Sequence, residues 1–231
     1  MPNFYVVATP IGNLDDISPR AVETLKGTDL ILCEDTRVTN KLLAHYGIEV
    51  PVLSYHQHSD LTKINNILEI LGQGKNLALV SDAGTPGISD PGNKLVDEIL
   101  KKFGKDVNII PIPGPTALAA AASISGLPMD KFLFLGFPPA KKKRNKFFEE
   151  IVRSDYAVIF YESPHRILRT LEDLKLIFSI NSINKVKIIV FRELTKKFET
   201  VYRGNFEGVI DEIKKSPVKG EFAVIVKKSS L

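Results

Sequence analysis

The sequence predicts an α/β protein of two domains, and three observations predict it. Apolar runs of strand length alternate with stretches of helical apolar period through the first half, the pattern of a parallel sheet with helices packed on it. Compact turns of proline and glycine follow the strands near residues 10, 84 and 114, where α/β sheets carry their ligand loops. Beyond an alanine-rich helix that Gly126 ends, a new strand opens a second series of elements, which puts the boundary near Leu127-Pro128. The expected domains are therefore 1–127 and 128–231.

In the first domain, Phe4-Tyr5-Val6-Val7-Ala8 reads as a strand leading into the turn Thr9-Pro10-Ile11-Gly12-Asn13. Ser18-Pro19 opens a helix that Gly27 closes. Asp29 to Cys33 returns as a strand, and Thr36 caps a helix running to Tyr46 and Gly47. A short strand at Val52-Leu53-Ser54 precedes a helix of about 12 residues from Leu61, where the apolar spacing has helical period. Asn76 to Val80 is a buried strand. Ser81 to Gly92 follows it as a loop of small and turn-forming residues, with Asp90 as cap and Pro91 at the first position of the next helix. Val107 to Ile110 is a strand, and Pro111-Ile112-Pro113-Gly114-Pro115-Thr116-Ala117 is a rigid turn into the alanine-rich helix.

The second domain opens with the strand Phe132–Phe137, after which the basic segment Lys141–Lys146 starts a helix. Tyr156 to Tyr161 is a strand, and Ser163-Pro164 caps the helix that follows. Strands at Lys187–Phe191, Val201–Arg203 and Glu221–Val226 complete it, with a helix from Phe206 to Lys215 between the last two.

Composition excludes several classes. Hydrophobic residues make up 44% and charged residues 25%, ordinary for a globular protein. No apolar run approaches the roughly 20 residues of a membrane span. The N-terminus enters a strand with no basic-then-apolar leader, so no signal peptide is expected. The single cysteine, Cys33, has no partner for an internal disulfide, which fits a reducing cytoplasm. The charge is uneven: residues 1–127 carry 10 Lys and Arg against 14 Asp and Glu, and residues 128–231 carry 21 against 13. A net −4 beside a net +8 points either to a polyanionic partner for the basic half or to a merely lysine-rich surface.

The common nucleotide and hydrolase signatures are missing: no G-x-G-x-x-G follows the first strand, and no phosphate-loop motif or G-x-S-x-G occurs. His56-Gln57-His58 is too isolated to argue for a metal, and none is expected. What remains is the three turns. Gly84 and Gly87 let backbone groups approach a ligand closely, because no Cβ intervenes. In a parallel sheet such turns lie on one edge and converge. Rigid backbone with few charges suits an uncharged or zwitterionic small molecule better than a triphosphate.

Eight blocks closely resemble one family. They are Val7-Ala8-Thr9-Pro10-Ile11-Gly12-Asn13-Leu14, Cys33-Glu34-Asp35-Thr36-Arg37, Ser81–Gly92 and Pro111–Pro115 in the first half. In the second they are Phe134-Leu135-Gly136-Phe137, Phe160-Tyr161-Glu162-Ser163-Pro164-His165-Arg166, Arg192-Glu193-Leu194-Thr195-Lys196 and Lys219-Gly220-Glu221-Phe222. The family is ribosomal RNA small subunit methyltransferase I, within the tetrapyrrole methylase superfamily. The resemblance runs in order from about residue 4 to 226. It implies two α/β domains of the tetrapyrrole methylase type, with S-adenosylmethionine in the cleft between them. It further implies 2′-O-methylation of a cytidine in the decoding region of 16S rRNA, on the small ribosomal subunit, by a cytoplasmic homodimer. Many members continue past the final strand with a helical tail, whereas this sequence stops at Leu231, so grip on the subunit is expected from the basic second domain or the dimer.

Carried over by position, the implied cofactor contacts are Pro10, Asp82, Ala83, Gly84, Thr85, Ile88, Thr116, Ala117, Glu162 and, against the adenine, Ala223. Methyl transfer from a sulfonium is an in-line displacement, in which positioning does much of the work. A ribose hydroxyl also needs a base or a nearby cation. Glu162, Glu193 and Arg37 are the catalytic candidates within these blocks. Substrate contacts are expected from Glu34, Asp35, Arg37, His165, Arg166, Arg192 and Lys196, and from Lys141, Lys142 and Lys143 in the basic segment. Glu34, Asp35 and Arg37 are equally well a buried salt-bridge cluster serving structure alone, and Lys141–Lys146 reads first as an exposed charged face. Two rivals differ in kind: a tetrapyrrole C-methyltransferase, whose polycarboxylate substrate also suits basic residues, and a ribosome-assembly factor without catalysis. Methylation of a porphyrinogen would favour the first, and RNA binding without cofactor affinity the second.

Overall fold

A computed structural model describes residues 1–56, 59, 61–183 and 185–228. They divide into two compact units, Met1–Thr116 and Ala117–Leu231. In the first unit the chain alternates strictly: β1 (Asn3–Val7), α1 (Pro19–Lys26), β2 (Leu30–Cys33), α2 (Thr36–His45), β3 (Val52–Ser54), α3 (Leu61–Gly72), β4 (Leu77–Leu79), α4 (Asn93–Phe103) and β5 (Asn108–Ile112). The five strands form one sheet in the order β3-β2-β4-β1-β5, with every pair parallel. Crossover helices cover both faces, and successive side chains of a strand therefore enter different cores. Leu32, Leu77 and Leu79 pack with Ile64, Ile67 and Leu71 of α3 and with Leu95 and Ile99 of α4. Ile31, Cys33, Ala78 and Val80 pack on the opposite face with Ala21 and Leu25 of α1 and Leu43 of α2.

Helix termini follow their residues, with local corrections. Ser18 caps α1 by accepting from the Ala21 N–H, Pro19 is the first helical residue and Gly27 ends it. At α2 the cap is Asp35, one residue ahead of the expected Thr36, because its carboxylate reaches the Arg37 N–H at 2.8 Å. The expected cap at Asp90-Pro91 is not formed. The helix α4 starts at Asn93 after Gly92, and the Asn93 side-chain amide donates instead to the Gly87 carbonyl at 2.9 Å.

The second unit contains α5 (Ala117–Ser123), β6 (Phe132–Phe134), α6 (Arg144–Arg153), β7 (Ala157–Glu162), α7 (Ile167–Ile180), β8 (Val186–Arg192), β9 (Thr200–Gly204), α8 (Phe206–Lys214) and β10 (Phe222–Lys228). Its sheet, β6-β7-β10-β8-β9, is mixed: β6 and β7 are parallel and the other pairs antiparallel. Apolar faces of α6, α7 and α8 cover one side through Phe148, Leu171, Phe178 and Ile210. The alanine-rich α5 lies against β10. Arg203 of β9 donates to the carbonyls of Ile124 and Ser125 just past the end of α5, at 2.6 and 2.9 Å. A guanidinium at a helix C-terminus complements the unpaired carbonyls there. These contacts place α5 with the second sheet, so the compact units part between Thr116 and Ala117. Residues 111–127 carry no charged side chain, and the charge division is the same for either boundary.

Two other termini differ from expectation. The strand β6 stops at Phe134, because Gly136 turns the chain at φ +64°. The helix α7 starts at Ile167, with Arg166 and Ile167 both donating to the Ser163 carbonyl at 3.1 Å, so His165 sits in the preceding turn and not on the helix.

Candidate functional site

In the first unit the three turns converge on one edge of the sheet, as parallel pairing requires. Thr9, just beyond β1, and Gly84, beyond β4, form an isolated antiparallel bridge, Thr9 N–H to Gly84 carbonyl at 2.9 Å and the reverse at 3.1 Å. The Thr9 hydroxyl also donates to the Ser81 carbonyl at 3.1 Å. The turn beyond β5 joins through Thr85, whose hydroxyl donates to the Pro115 carbonyl at 3.3 Å. Gly84 has φ +84°, and a Cβ there would lie 3.3 Å from Ile11 Cγ2 and 3.9 Å from Thr116 Cα. A Cβ on Gly114 would lie 3.0 Å from that of Ala8. Glycine is thus what lets the three backbones close on one another.

Pro10, Asp82, Ala83, Gly84, Thr85 and Thr116 are brought together on this edge. Ile88, 42% exposed, lies further along the same loop. Ala117 opens α5 in the other unit. Glu34, Asp35 and Arg37 stand at the neighbouring β2 end, where the Asp35 N–H donates to Asp82 Oδ1 at 3.0 Å. The Arg37 guanidinium grips Asp35 at 2.6 to 3.2 Å and holds its carboxyl at about 2, while the Arg37 side chain remains 86% exposed. Burial, then the Asp82 charge, push the Glu34 carboxyl up. Of the histidine pair, His56 borders this edge and His58 lies outside the described residues. Among the described residues no group of three or more His, Cys, Asp or Glu could hold a metal.

In the second unit the antiparallel register puts Glu162, Phe222 and Arg192 in one row across β7, β10 and β8. Glu162 is fully buried at that edge: Thr170 donates to Oε2 at 2.6 Å, while the Ser163 N–H and Arg166 reach Oε1 at 2.8 Å. Arg166 also donates to the Pro138 carbonyl at 3.1 Å. Arg144 extends the network to Thr170 at 2.8 Å, Asp173 at 3.1 Å and the Pro139 carbonyl at 3.4 Å. Thr170 and Asp173 carry no expectation from the sequence, and Arg144, expected on the exposed charged face Lys141–Lys146, is instead buried, although a signal existed. Phe147, Phe148, Ile151 and Val152 form a helical stripe that, extended one turn back, meets Arg144.

Beyond the same row, Glu193 adopts φ +54° and Thr195 φ +63°. Such left-handed side-chain-bearing residues persist only where the surroundings impose them. Glu193 Oε1 accepts from the Glu221 N–H at 2.9 Å and from Lys196 at 3.1 Å, and Lys196 also reaches Glu221 at 3.0 Å. Burial raises the Glu193 carboxyl, but the Glu221 N–H and Lys196 outweigh it and hold the group below its usual range. Arg192 donates to the Lys219 carbonyl at 2.8 Å. Ala223 is buried in β10 on the face opposite Phe222 and Val224. His165 and Lys141, Lys142 and Lys143 are exposed.

Residues 3–210 match the family of tetrapyrrole (corrin/porphyrin) methylases. The ribosomal RNA small subunit methyltransferase I of Synechocystis sp. is 45% identical over 96% of this chain and 77% of its own length. Those of Hydrogenobaculum sp. and Thermotoga maritima are 45% and 41% identical over 98% of this chain, and over 96% and 98% of their own lengths. Among solved structures, the methyltransferase CobJ superposes with a TM-score of 0.70 at 20% identity, over 99% of this chain and 95% of its own. Cobalt precorrin-4 methyltransferase CbiF gives 0.69 at 18%, over 97% and 94%. The chain belongs to the tetrapyrrole methylase superfamily and, within it, to the ribosomal RNA small subunit methyltransferase I family.

It is accordingly a methyltransferase, and its methyl donor is S-adenosylmethionine. The first unit's loop edge fits that molecule: its loops are closed through backbone and small side chains, and Asp82 is an exposed carboxylate beside them.

Proposed function

We propose that the protein transfers a methyl group to the ribose 2′-hydroxyl of a cytidine in the decoding region of 16S rRNA, acting on the small ribosomal subunit as a cytoplasmic homodimer. The identity of 41–45% with the three relatives named above, extended over nearly the whole chain, is the observation that carries this reading. The basic second unit, with 21 Lys and Arg against 13 Asp and Glu, suits a polyanion. No helix among the described residues is long and apolar enough to cross a membrane.

In this reading Pro10, Asp82, Ala83, Gly84, Thr85, Ile88 and Thr116 hold the cofactor on the first unit's edge. When bound, S-adenosylmethionine supplies an electrophilic methyl group on a sulfonium. Glu193 is the base: ionised at neutral pH, it uses Oε1 for Lys196 and the Glu221 N–H, which leaves Oε2 for the ribose hydroxyl. Glu162 has both oxygens committed inside the fold and acts by positioning Arg166. Arg37, His165, Arg166, Arg192, Lys196 and Lys141–Lys143 face RNA phosphates, while Glu34 and Asp35 order the edge around Arg37 and Asp82.

The test offers labelled S-adenosylmethionine with small subunits from cells lacking the enzyme, and in parallel with a porphyrinogen. Label in 16S rRNA alone is expected. Label in the porphyrinogen, or cofactor binding with neither substrate labelled, would overturn the reading.

A further inference from the structure

Within the second unit, the loop between β6 and α6 joins an exposed aromatic ring, Phe137, to the lysine run. Its first turn is made by Gly136 at φ +64°, whose carbonyl accepts from the Tyr161 N–H at 2.9 Å. The turn carries Phe137 back toward Tyr161, ring centroids 5.5 Å apart and tilted by 59°, and Phe134 also meets Tyr161, edge-on at 5.0 Å. Phe137 nevertheless remains 51% exposed. A large apolar ring held by aromatic neighbours yet open to solvent is a surface prepared for a flat partner.

The loop is also rigid and basic. Pro138 and Pro139 fix the chain directly after Phe137, and their carbonyls are gripped by Arg166 at 3.1 Å and Arg144 at 3.4 Å. Both guanidiniums belong to the buried network around Glu162 and Thr170. Lys141, Lys142 and Lys143 follow, all exposed, and Lys143 turns the chain into α6 at φ +67°. Aromatic rings beside a run of cations are the two elements by which proteins hold single-stranded nucleic acid: bases stack, phosphates pair. In paired RNA the bases are already stacked and present no free face.

We propose that Phe137, backed by Tyr161, is a stacking platform for an unpaired RNA base, with Lys141, Lys142 and Lys143 taking the adjoining phosphates. The assignment rests on RNA being the substrate, and it adds that the RNA meets this loop as an unpaired strand.

A short single-stranded RNA containing 2-aminopurine tests it, since stacking on an aromatic ring quenches the fluorophore whereas phosphate contact does not. The unmutated full-length protein is expected to quench, and Phe137→Trp to keep the effect. Phe137→Leu, which preserves apolar bulk without a π-face, is expected to lose it and weaken binding roughly 5- to 150-fold, with thermal midpoint and S-adenosylmethionine affinity unchanged. Quenching that survives in Phe137→Leu overturns the proposal. So does an equal affinity for the same sequence as a duplex, or a fall in cofactor affinity that would assign the ring to the methyl donor. Absence of quenching by the unmutated protein, while it still labels 16S rRNA in subunits, overturns the platform and leaves the enzymatic reading standing. Quenching without subunit labelling does the reverse.

Discussion

At Gly220 the backbone runs at φ +90°, and a Cβ there would lie 2.4 Å from Glu193 Cγ and Cδ. A methyl group therefore has to expel the Glu193 side chain from the Glu221 N–H and from Lys196. Gly220→Ala is expected to lose about 2–4 kcal/mol of stability by chemical denaturation, strain and lost bonds acting together. Glu193→Gln keeps the shape and removes the charge. It is expected to lower kcat by roughly 10²–10⁴-fold, the usual contribution of a general base, with cofactor affinity retained in calorimetry. An unchanged kcat would remove Glu193 from the chemistry. The blocks containing both residues were visible in the sequence, but their mutual contact was not. It spans 27 residues of chain and depends on how β8 and β10 pair.

Elements show how much the residues alone could say. Strands of the first sheet were legible because each is a short apolar run bounded by turn residues, and buried parallel strands need both faces apolar. The start of α4 was not. Aspartate then proline fits cap chemistry, yet Gly92 and the Asn93 tie to Gly87 delay the helix. Likewise α5 read as the end of the first domain by its order in the chain, whereas Arg203 and β10 hold it to the second unit. Such long-range partners leave no local trace. For the loop edge itself the three turns were readable, while the Thr9–Gly84 bridge that locks them was not.

The cap of α2 makes a pH-dependent prediction. The Asp35 carboxyl is lowered from 3.8 to about 2, chiefly by the Arg37 side chain. A depressed folded value means stabilisation that is fully present above the unfolded value of 3.8 and lost as pH falls through about 2. Asp35→Asn keeps a capping oxygen and is expected to flatten the stability profile across that window, with no change in slope near neutrality. An identical acid limb in both proteins would contradict the assignment. On the second sheet, Glu162→Gln leaves Arg166 without its charge partner. Stability is expected to fall by about 1–3 kcal/mol, and activity on RNA to fall more than cofactor affinity.

For the whole molecule, the charge division is the feature that connects sequence to partner most simply. The net positive charge lies in the second unit, where a polyanion is attracted most strongly, and the lysine run lies there. Each phosphate contact to a single strand adds about 0.7 to the logarithmic salt slope, so replacing Lys141, Lys142 and Lys143 by alanine is expected to reduce it by about 2. An unchanged slope would make the run a solvated face only.

The atom that receives the methyl group decides the function. The measurement is to let the protein modify small subunits from cells lacking it, digest the 16S rRNA, and locate the product by mass spectrometry. A single 2′-O-methylcytidine within the decoding region is the predicted result. A methyl group on a base, at scattered positions or nowhere in the RNA would rule out ribose 2′-O-methylation by this protein.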